Sequence, residues 1–418
     1  MEYKKRLIDE TIKDTLSFRG AVLIEGPKWS GKTTSAKQIA MSNTSMSDDD
    51  SQENYLNKNF SVILNGDTPR LIDEWQLAPE LWDKVRDEVD KRSLFGQFIL
   101  TGSSVSADRD KIKHTGTGRI SRLLMRTMSL YESEDSSGEV SLGALFDGQN
   151  EISGTNKIDI DRLSFLCCRG GWPGALVMTD RQALKSAEDL YNATINSDIV
   201  REGKIARNAE KVGNFMRSYA RNLGTQASND VLASDVVSGK PIDSDTAASY
   251  INALENIFIV ENMPAWNPNL RSRTAVRTSP TRYFSDPSIA VQALGAGPAA
   301  LVKDTRTLGF IFETMCIRDL RVYADAIDGK VYHYRDKTDL ECDAVVVLRD
   351  GRYGLIEIKL GGGSRVEEGA ENLKKLRDRL DTRVMNEPSF LMVLTGIPKY
   401  AYRRLDGVFV VPLGCLRN

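Results

Sequence analysis

The chain of 418 residues is poor in the residues that hold metals and bridge strands covalently. It has two histidines, His114 and His333, and five cysteines, Cys167, Cys168, Cys316, Cys342 and Cys415, with no Cys-x-x-Cys pair among them. That leaves no basis for a structural zinc site and reads as reduced thiols in a cytoplasmic protein. No apolar run approaches the ~18 residues of a membrane span, and the first ten residues already carry Glu2, Asp9 and Glu10 instead of the apolar core of a secretion signal. A cytoplasmic location without a membrane partner is therefore expected. An excess of one charge is missing too: 56 Lys+Arg face 58 Asp+Glu, for a net charge of −2. Bulk charge thus excludes a generally basic DNA-binding protein, and any DNA contact must come from local patches. What remains is an ordinary globular composition in a chain too long for one compact core.

Against this background one motif stands out. Residues 26–33 read Gly26, Pro27, Lys28, Trp29, Ser30, Gly31, Lys32, Thr33, a complete G-x-x-x-x-G-K-[ST] phosphate loop, with Thr34 following. The apolar run Ala21-Val-Leu-Ile precedes it as a buried strand, and residues 33–41 can continue as a helix. The two glycines let the backbone turn tightly and aim N–H groups at phosphates. Lys32 is expected on the β/γ-phosphates of ATP and the Thr33 hydroxyl on Mg²⁺.

Pro69-Arg-Leu-Ile-Asp-Glu-Trp-Gln76 then offers a short strand ending in Asp73 and Glu74. Asp73 is expected to hold Mg²⁺ through its water shell and Glu74 to polarise the attacking water. After a helix over 80–91, the run 97–104 reads as a strand whose polar end, Thr101 or Ser103, would lie beside the γ-phosphate. The polar, acidic segment 42–53 reads as a solvated loop. Gly116-Thr-Gly-Arg119 and Leu123-Leu-Met-Arg-Thr-Met-Ser-Leu-Tyr-Glu132 follow. Together these motifs resemble the AAA-plus-type ATPases, with their L-I-D-E-x-Q, L-T-G-S-S, G-R and L-S-x-x-E signature. The resemblance implies an arginine finger at Arg119, acting in cis or on a neighbouring subunit of a homo-oligomer, a hexamer being one such assembly.

Beyond residue 157 the pattern turns helical. Arg169-Gly-Gly-Trp-Pro-Gly174 resembles the G-G-x-P element that follows the ATPase core in the same family, and 182–199 and 209–223 read as amphipathic helices. Residues 230–266 give helix, turn at 239–241, helix capped by Asp243 or Ser244, then the strand 257–260. That is the outline of a winged helix, with Thr246, Ser249 and Tyr250 near the exposed start of a recognition helix. Residues 262–285 contain no acid and four arginines, Arg271, Arg273, Arg277 and Arg282, the composition of a wing that grips DNA phosphates.

The last hundred residues suggest a second chemistry. A helix over 307–323 carries Glu313, a strand covers 331–334, and 343–348 with 352–359 form a hairpin. Glu357 and Lys359 leave one face of their strand, and Asp343 starts the paired strand. This segment resembles the PD-(D/E)xK nuclease superfamily. The resemblance implies Asp343 and Glu357 as metal ligands, Lys359 as the group that activates water, and Glu313 as an additional acid. An E-x-K triplet also occurs in any half-exposed strand, so cutting and mere binding stay open.

The whole chain resembles a bacterial and archaeal family of AAA-plus-superfamily ATPases with a C-terminal nuclease-like domain of unknown function. The expected architecture is α/β: a P-loop ATPase domain with a parallel sheet over 1–157, a helical and winged-helix domain over 158–300, and a PD-(D/E)xK-like α/β domain over 301–418. The expected function is an oligomeric ATPase that binds or remodels DNA, including branched or broken DNA. The alternatives are a nucleotide-gated, metal-dependent nuclease and a nucleotide-switched regulator or defence protein.

Overall fold

The computed structural model describes residues 2–104, 114–199, 209–236, 242–268, 279–380 and 385–418. Strand β1 (Ala21–Glu25) buries all four of its apolar residues, as a parallel strand covered on both faces requires. Around it stand β2 (Ser42–Ser45), β3 (Arg70–Asp73), β4 (Phe98–Gly102) and β5 (Ile120–Leu124), in the order β2-β3-β4-β1-β5 with every neighbouring pair parallel. One face packs Trp75, Trp82, Val85 and Phe98, and the other packs Ile12 and Leu16 of the helix Ile8–Phe18. Because all five strands run the same way, the phosphate loop, Asp73–Glu74 and the end of β4 emerge at one edge of the sheet.

The solvated loop expected over 42–53 is instead β2 followed by the helix Asp49–Leu56. Ser-Asn-Thr-Ser has no apolar alternation, but an edge strand needs only the ladder that β3 supplies. Asp49 and Asp50 sit in the first turn of the helix, where its dipole favours acids.

The way out of this sheet belongs elsewhere. β6 (Val140–Ser141) pairs with β14 (Leu416–Arg417), and β7 (Gly154–Thr155) pairs with β12 (Tyr400–Arg403). Residues 140–141 and 154–155, expected within the first domain, are thus hydrogen-bonded to the C-terminal strands. The middle of the chain supplies the helices Ile160–Arg169, Asp180–Ala193, Ala209–Arg221, Asn229–Ser234 and Ser244–Asn256. The strand expected over 257–260 is reduced to isolated bridges, Val260 to Phe284 and Met263 to Thr281, because Phe258 takes a φ of 59° and breaks the ladder. The turn at 239–241 lies outside the described residues.

The last region opens with the helix Thr305–Ala326 and continues with β8 (Gly329–Arg335), β9 (Glu341–Leu348), β10 (Tyr353–Lys359), the helix Ser364–Arg379, β11 (Phe390–Thr395), β12 and β13 (Phe409–Pro412). The sheet order is β7-β12-β13-β11-β10-β9-β8. β8, β9 and β10 form an antiparallel meander, and the helix carries the chain across to β11, parallel to β10. A single apolar core running from Leu130 to Leu416 joins the middle helices to this sheet.

Candidate functional site

The phosphate loop is held in the shape its motif requires. Gly26 has a φ of 151°, and a Cβ there would lie 2.2 Å from the Met125 carbonyl oxygen. Gly31 has a φ of 98° and opens the short helix Lys32–Lys37. The buried Lys32 ammonium donates to the carbonyl oxygens of Gly26 (3.0 Å) and Pro27 (2.7 Å). Burial lowers its pKa to about 8 despite the nearby Glu74 and Asp73. Phosphate oxygens, a stronger set of partners than two carbonyls, would restore its charge. Among the described residues Ser30 Oγ, which is buried, has no hydrogen-bond partner. The cavity beside the loop measures about 800 Å³ and is lined by Lys28, Trp29, Thr33, Thr34, Glu74 and Ser103, room for a nucleoside triphosphate.

The three strand ends meet here. Thr33 Oγ1 donates to Asp73 Oδ1 at 2.7 Å, and Thr101 Oγ1 donates to the same oxygen. Thr101 is therefore committed to Asp73. Ser103 Oγ lies 3.4 Å from Glu74 Oε2, and Gln76 Nε2 donates to that carboxylate too. Glu74 takes a φ of 54°, a costly conformation for a side chain of its size, which turns it out of β3 toward the loop. The Thr33 hydroxyl, in the first turn of the helix after the loop, and the Asp73 carboxylate at the end of β3 are the hard oxygen donors that Mg²⁺ takes, so the residues present fit that ion.

Two supports hold the loop from outside its own motif. Arg6 is buried and donates to Ser30 O (2.9 Å), Arg126 O (2.9 Å) and Glu132 Oε1 (3.0 Å). Glu132, the acid of the L-S-x-x-E motif, also accepts the N–H groups of Leu7 and Ser129. Within the basic run Lys4-Lys5-Arg6 nothing in the sequence distinguishes Arg6 from its solvated neighbours. The second support is the glycine turn after Arg169. A Cβ on Gly171 would lie 2.1 Å from Met128 O, and one on Gly31 would lie 3.4 Å from the Pro173 ring. The turn thus lies directly against the phosphate loop.

Residues 18–134 match the family model described as AAA domain. The N-terminal region is a P-loop ATPase module of the AAA type. Residues 160–300 match a domain of unknown function, DUF8612, and residues 308–416 match another, DUF4143. No curated protein matches the chain. Among solved structures, the chain is similar to the Walker-type ATPase PABY2304 of Pyrococcus abyssi, at 14% identity and a TM-score of 0.43 over 68% of this chain and 94% of that one. A DNA replication initiation factor is similar at 14% identity and a TM-score of 0.22, over 60% and 87%. The ORC1 protein of Aeropyrum pernix, solved in complex with DNA, is similar at 11% identity and a TM-score of 0.23, over 71% and 98%. Likeness at this level carries no functional argument.

Arg119 lies elsewhere in the ATPase module. It precedes Ile120, which pairs with Ala21, so it occupies the edge of the sheet opposite the phosphate loop, and its Nε donates to Asp90 Oδ1 at 2.8 Å. The length of a strand separates it from this chain's own phosphate loop, so it does not reach that loop in cis.

In the C-terminal region the four expected side chains do come together. Lys359 Nζ lies 2.7 Å from Glu357 Oε2 and 4.0 Å from Asp343 Oδ2. Asp343 Oδ2 accepts the Ile358 N–H at 2.7 Å, and Asn372 Nδ2 donates to Glu357 Oε1 at 2.7 Å. Burial and then Asp343 push the carboxyls of Glu313 and Glu357 up to about 8, and burial raises Asp343 as well. Burial alone would lower Lys359, but Asp343 and Glu357 raise it above the usual range. Among the described residues no three His, Cys, Asp or Glu side chains are grouped so as to hold a metal ion. A cation at Asp343 and Glu357 would have only those two carboxylates and would compete with the Lys359 ammonium for Glu357. Tyr283 OH donates to Glu313, and Gly224, Gln226 and His333 close a cavity of about 40 Å³ over the acids.

The expected DNA-facing residues divide. Arg271, Arg273 and Arg277 lie outside the described residues. Arg282 is buried and donates to Ala227 O and Asn229 Oδ1, both at 3.0 Å, so it staples the helix Asn229–Ser234 and is not free for phosphate. Tyr250, expected on an exposed recognition face, is core: it is buried with its ring 5.4 Å from that of Phe215. Thr246 sits at the capped start of its helix, its N–H donating to Asp243.

Proposed function

We propose that the protein is an ATP-hydrolysing machine that acts on DNA as a homo-oligomer, its ATPase module driving the helical and C-terminal regions. The observation that carries the ATPase chemistry is the convergence of Lys32, Thr33, Asp73, Glu74, Thr101 and Ser103 at one edge of the parallel sheet. Lys32 and the loop N–H groups would bind the triphosphate. Thr33 and Asp73 would hold Mg²⁺, which neutralises charge on the transferring phosphoryl group when bound. Glu74 is aimed to accept a proton from water, and Ser103 steadies that carboxylate. The glycine turn packed on the phosphate loop gives nucleotide state a direct mechanical route to the middle helices. The helix pair before an acid-free, arginine-rich segment supports DNA as the target.

The test joins both halves. Glu74→Gln should bind ATP as the wild type does while turnover falls about 10²-fold or more, since only the proton acceptor is lost. In that trapped state duplex, single-stranded and branched DNA should bind with affinities that differ from those of the nucleotide-free protein. Normal turnover in Glu74→Gln would remove the assignment of Glu74, and no binding of any DNA in either state would remove the DNA reading.

One observation favours a second reading, a nucleotide-gated nuclease: Asp343, Glu357 and Lys359 lie together, residue types that phosphodiester cleavage with a divalent ion uses. The Lys359 ammonium held between the two acids and the cover over Glu313 favour a binding role in the state described.

A further inference from the structure

In the phosphate loop, the peptide between Ser30 and Gly31 is held by a residue far from it in sequence. Its carbonyl oxygen accepts from Arg6 Nη1 at 2.9 Å. The carbonyl and N–H of a trans peptide lie in one plane and point opposite ways. Fixing Ser30 O on the Arg6 side therefore turns the Gly31 N–H to the other side. Gly31 lines the cavity beside the loop, and its N–H has no hydrogen-bond partner among the described residues. Glycine gives that N–H no preference of its own. A peptide turns over by rotating ψ of the residue before it and φ of the residue after it. Gly31, at a φ of 98°, lacks the Cβ that would make other values of φ costly. Turned over, the same peptide would present Ser30 O to the phosphates, an acceptor against acceptors.

The surroundings of Arg6 resist that turn. Its side chain is 3% exposed, its Nε donates to Glu132 Oε1 at 3.0 Å, and its Nη2 donates to Arg126 O at 2.9 Å. Three acceptors around one planar fork leave the guanidinium no freedom to follow a rotating carbonyl. The Arg6 backbone is fixed as well, because its N–H donates to Asp9 Oδ2 at 2.9 Å. Tyr3 OH donates to the same carboxylate and lies 2.8 Å from Ser35 Oγ, on the helix that follows the loop. Residues 3–9 thus grip the loop on both sides of Lys32.

We propose that Arg6 is a positioning residue for the nucleotide phosphates: by holding Ser30 O it keeps the Gly31 N–H aimed at the phosphate chain. The proposal rests on the reading of the loop as an ATP site and adds to it a residue outside the motif. The N–H contact is made in the bound substrate and in the transition state alike, so its loss raises KM more than it lowers kcat.

The experiment uses the full chain, titration calorimetry with a non-hydrolysable ATP analogue and Mg²⁺, and steady-state ATP turnover. Arg6→Met/Glu132→Gln removes one charge of each sign, so the net charge is unchanged and no buried charge is left unpaired. It should bind the analogue about tenfold or more weakly at unchanged stoichiometry, the equivalent of one charge-assisted hydrogen bond. Its KM should rise by a similar factor while kcat falls by less than about threefold. Arg6→Lys covers a failure of the double variant to fold, because an ammonium stays opposite Glu132 but cannot span the three acceptors. It should show the same rise in Kd. Lys5→Ala, at an exposed neighbour paired with Glu10, should bind as the wild type does. A wild-type Kd in a folded Arg6 variant overturns the proposal. So does a fall in stoichiometry or melting temperature at unchanged Kd, which marks a structural role alone, and so does a loss of kcat at unchanged KM. Wild type that does not bind the analogue removes the ATP reading itself, and the proposal with it.

Discussion

Arg126 ties the three regions together, and its removal has a calculable consequence. Its backbone carbonyl accepts from Arg6, whose guanidinium also holds the phosphate loop. Its own guanidinium donates to both oxygens of Glu261, at 2.8 and 2.6 Å, and to Asp325 of the long C-terminal helix. Burial alone would raise Glu261, but Arg126 and then Arg321 hold it at about 2. A carboxylate depressed in the fold contributes stability above its unfolded pKa of about 4.3, and that stability drains away as the pH falls toward 2. A shift of about 2 units corresponds to about 3 kcal/mol. The Glu261 side chain is 23% exposed, and Arg321 still approaches it at 3.5 Å, which trims the figure to about 2–3 kcal/mol. Arg126→Met should therefore lower the urea midpoint at pH 7.5 by the equivalent of about 2–3 kcal/mol, read by tryptophan fluorescence and circular dichroism together. By pH 3.5 the gap should narrow by about 1 kcal/mol, because the folded variant, without Arg126, then takes up a proton on Glu261 while the folded wild type does not, the unfolded chains gaining it alike. Arg126→Met/Glu261→Gln should recover at least half of the loss, since no uncompensated buried charge remains. A loss below about 1 kcal/mol at pH 7.5, or a gap that does not change with pH, would refute the reasoning.

Three further outcomes are expected. Arg119→Ala should cut ATP turnover about 10³-fold with ATP affinity little changed, and mixing it with Lys32→Ala protein should restore part of the activity through hybrid interfaces; no recovery on mixing would discard the arginine finger. Reversing Arg271, Arg273 and Arg277 to glutamate should weaken duplex binding equally across sequences and lower the salt slope by about 0.9 for each phosphate no longer gripped, whereas an unchanged slope places the duplex surface elsewhere. If the C-terminal cluster cuts DNA, Mg²⁺ or Mn²⁺ should support cleavage that Asp343→Ala and Lys359→Ala each abolish without loss of DNA binding; intact DNA in both metals assigns the cluster to binding alone.

The convergence of the phosphate loop with Asp73 and Glu74 was legible in the sequence because its pattern is written locally. A glycine loop between strand and helix, and an acid pair at the end of a short apolar run, need no distant residue to be recognised. The C-terminal constellation was legible for a related reason: alternation along β10 and the short turn from β9 put Asp343, Glu357 and Lys359 within reach of one another. What the sequence could not determine depends on partners far along the chain. The polar edge strand β2 exists only because β3 offers it a ladder. Arg282 and Tyr250 looked like DNA-facing groups from their spacing, yet packing draws both inward, one to a carbonyl and an amide, the other to Phe215. Arg6 supports the phosphate loop from a distance of 24 residues, and Arg119 lies at the far edge of the sheet from that loop, because parallel pairing of β5 with β1 sets which end of each strand faces the nucleotide. Local pattern determined which residues can do chemistry. Only the tertiary structure decided which of them meet, since burial and strand order are properties of the assembled chain.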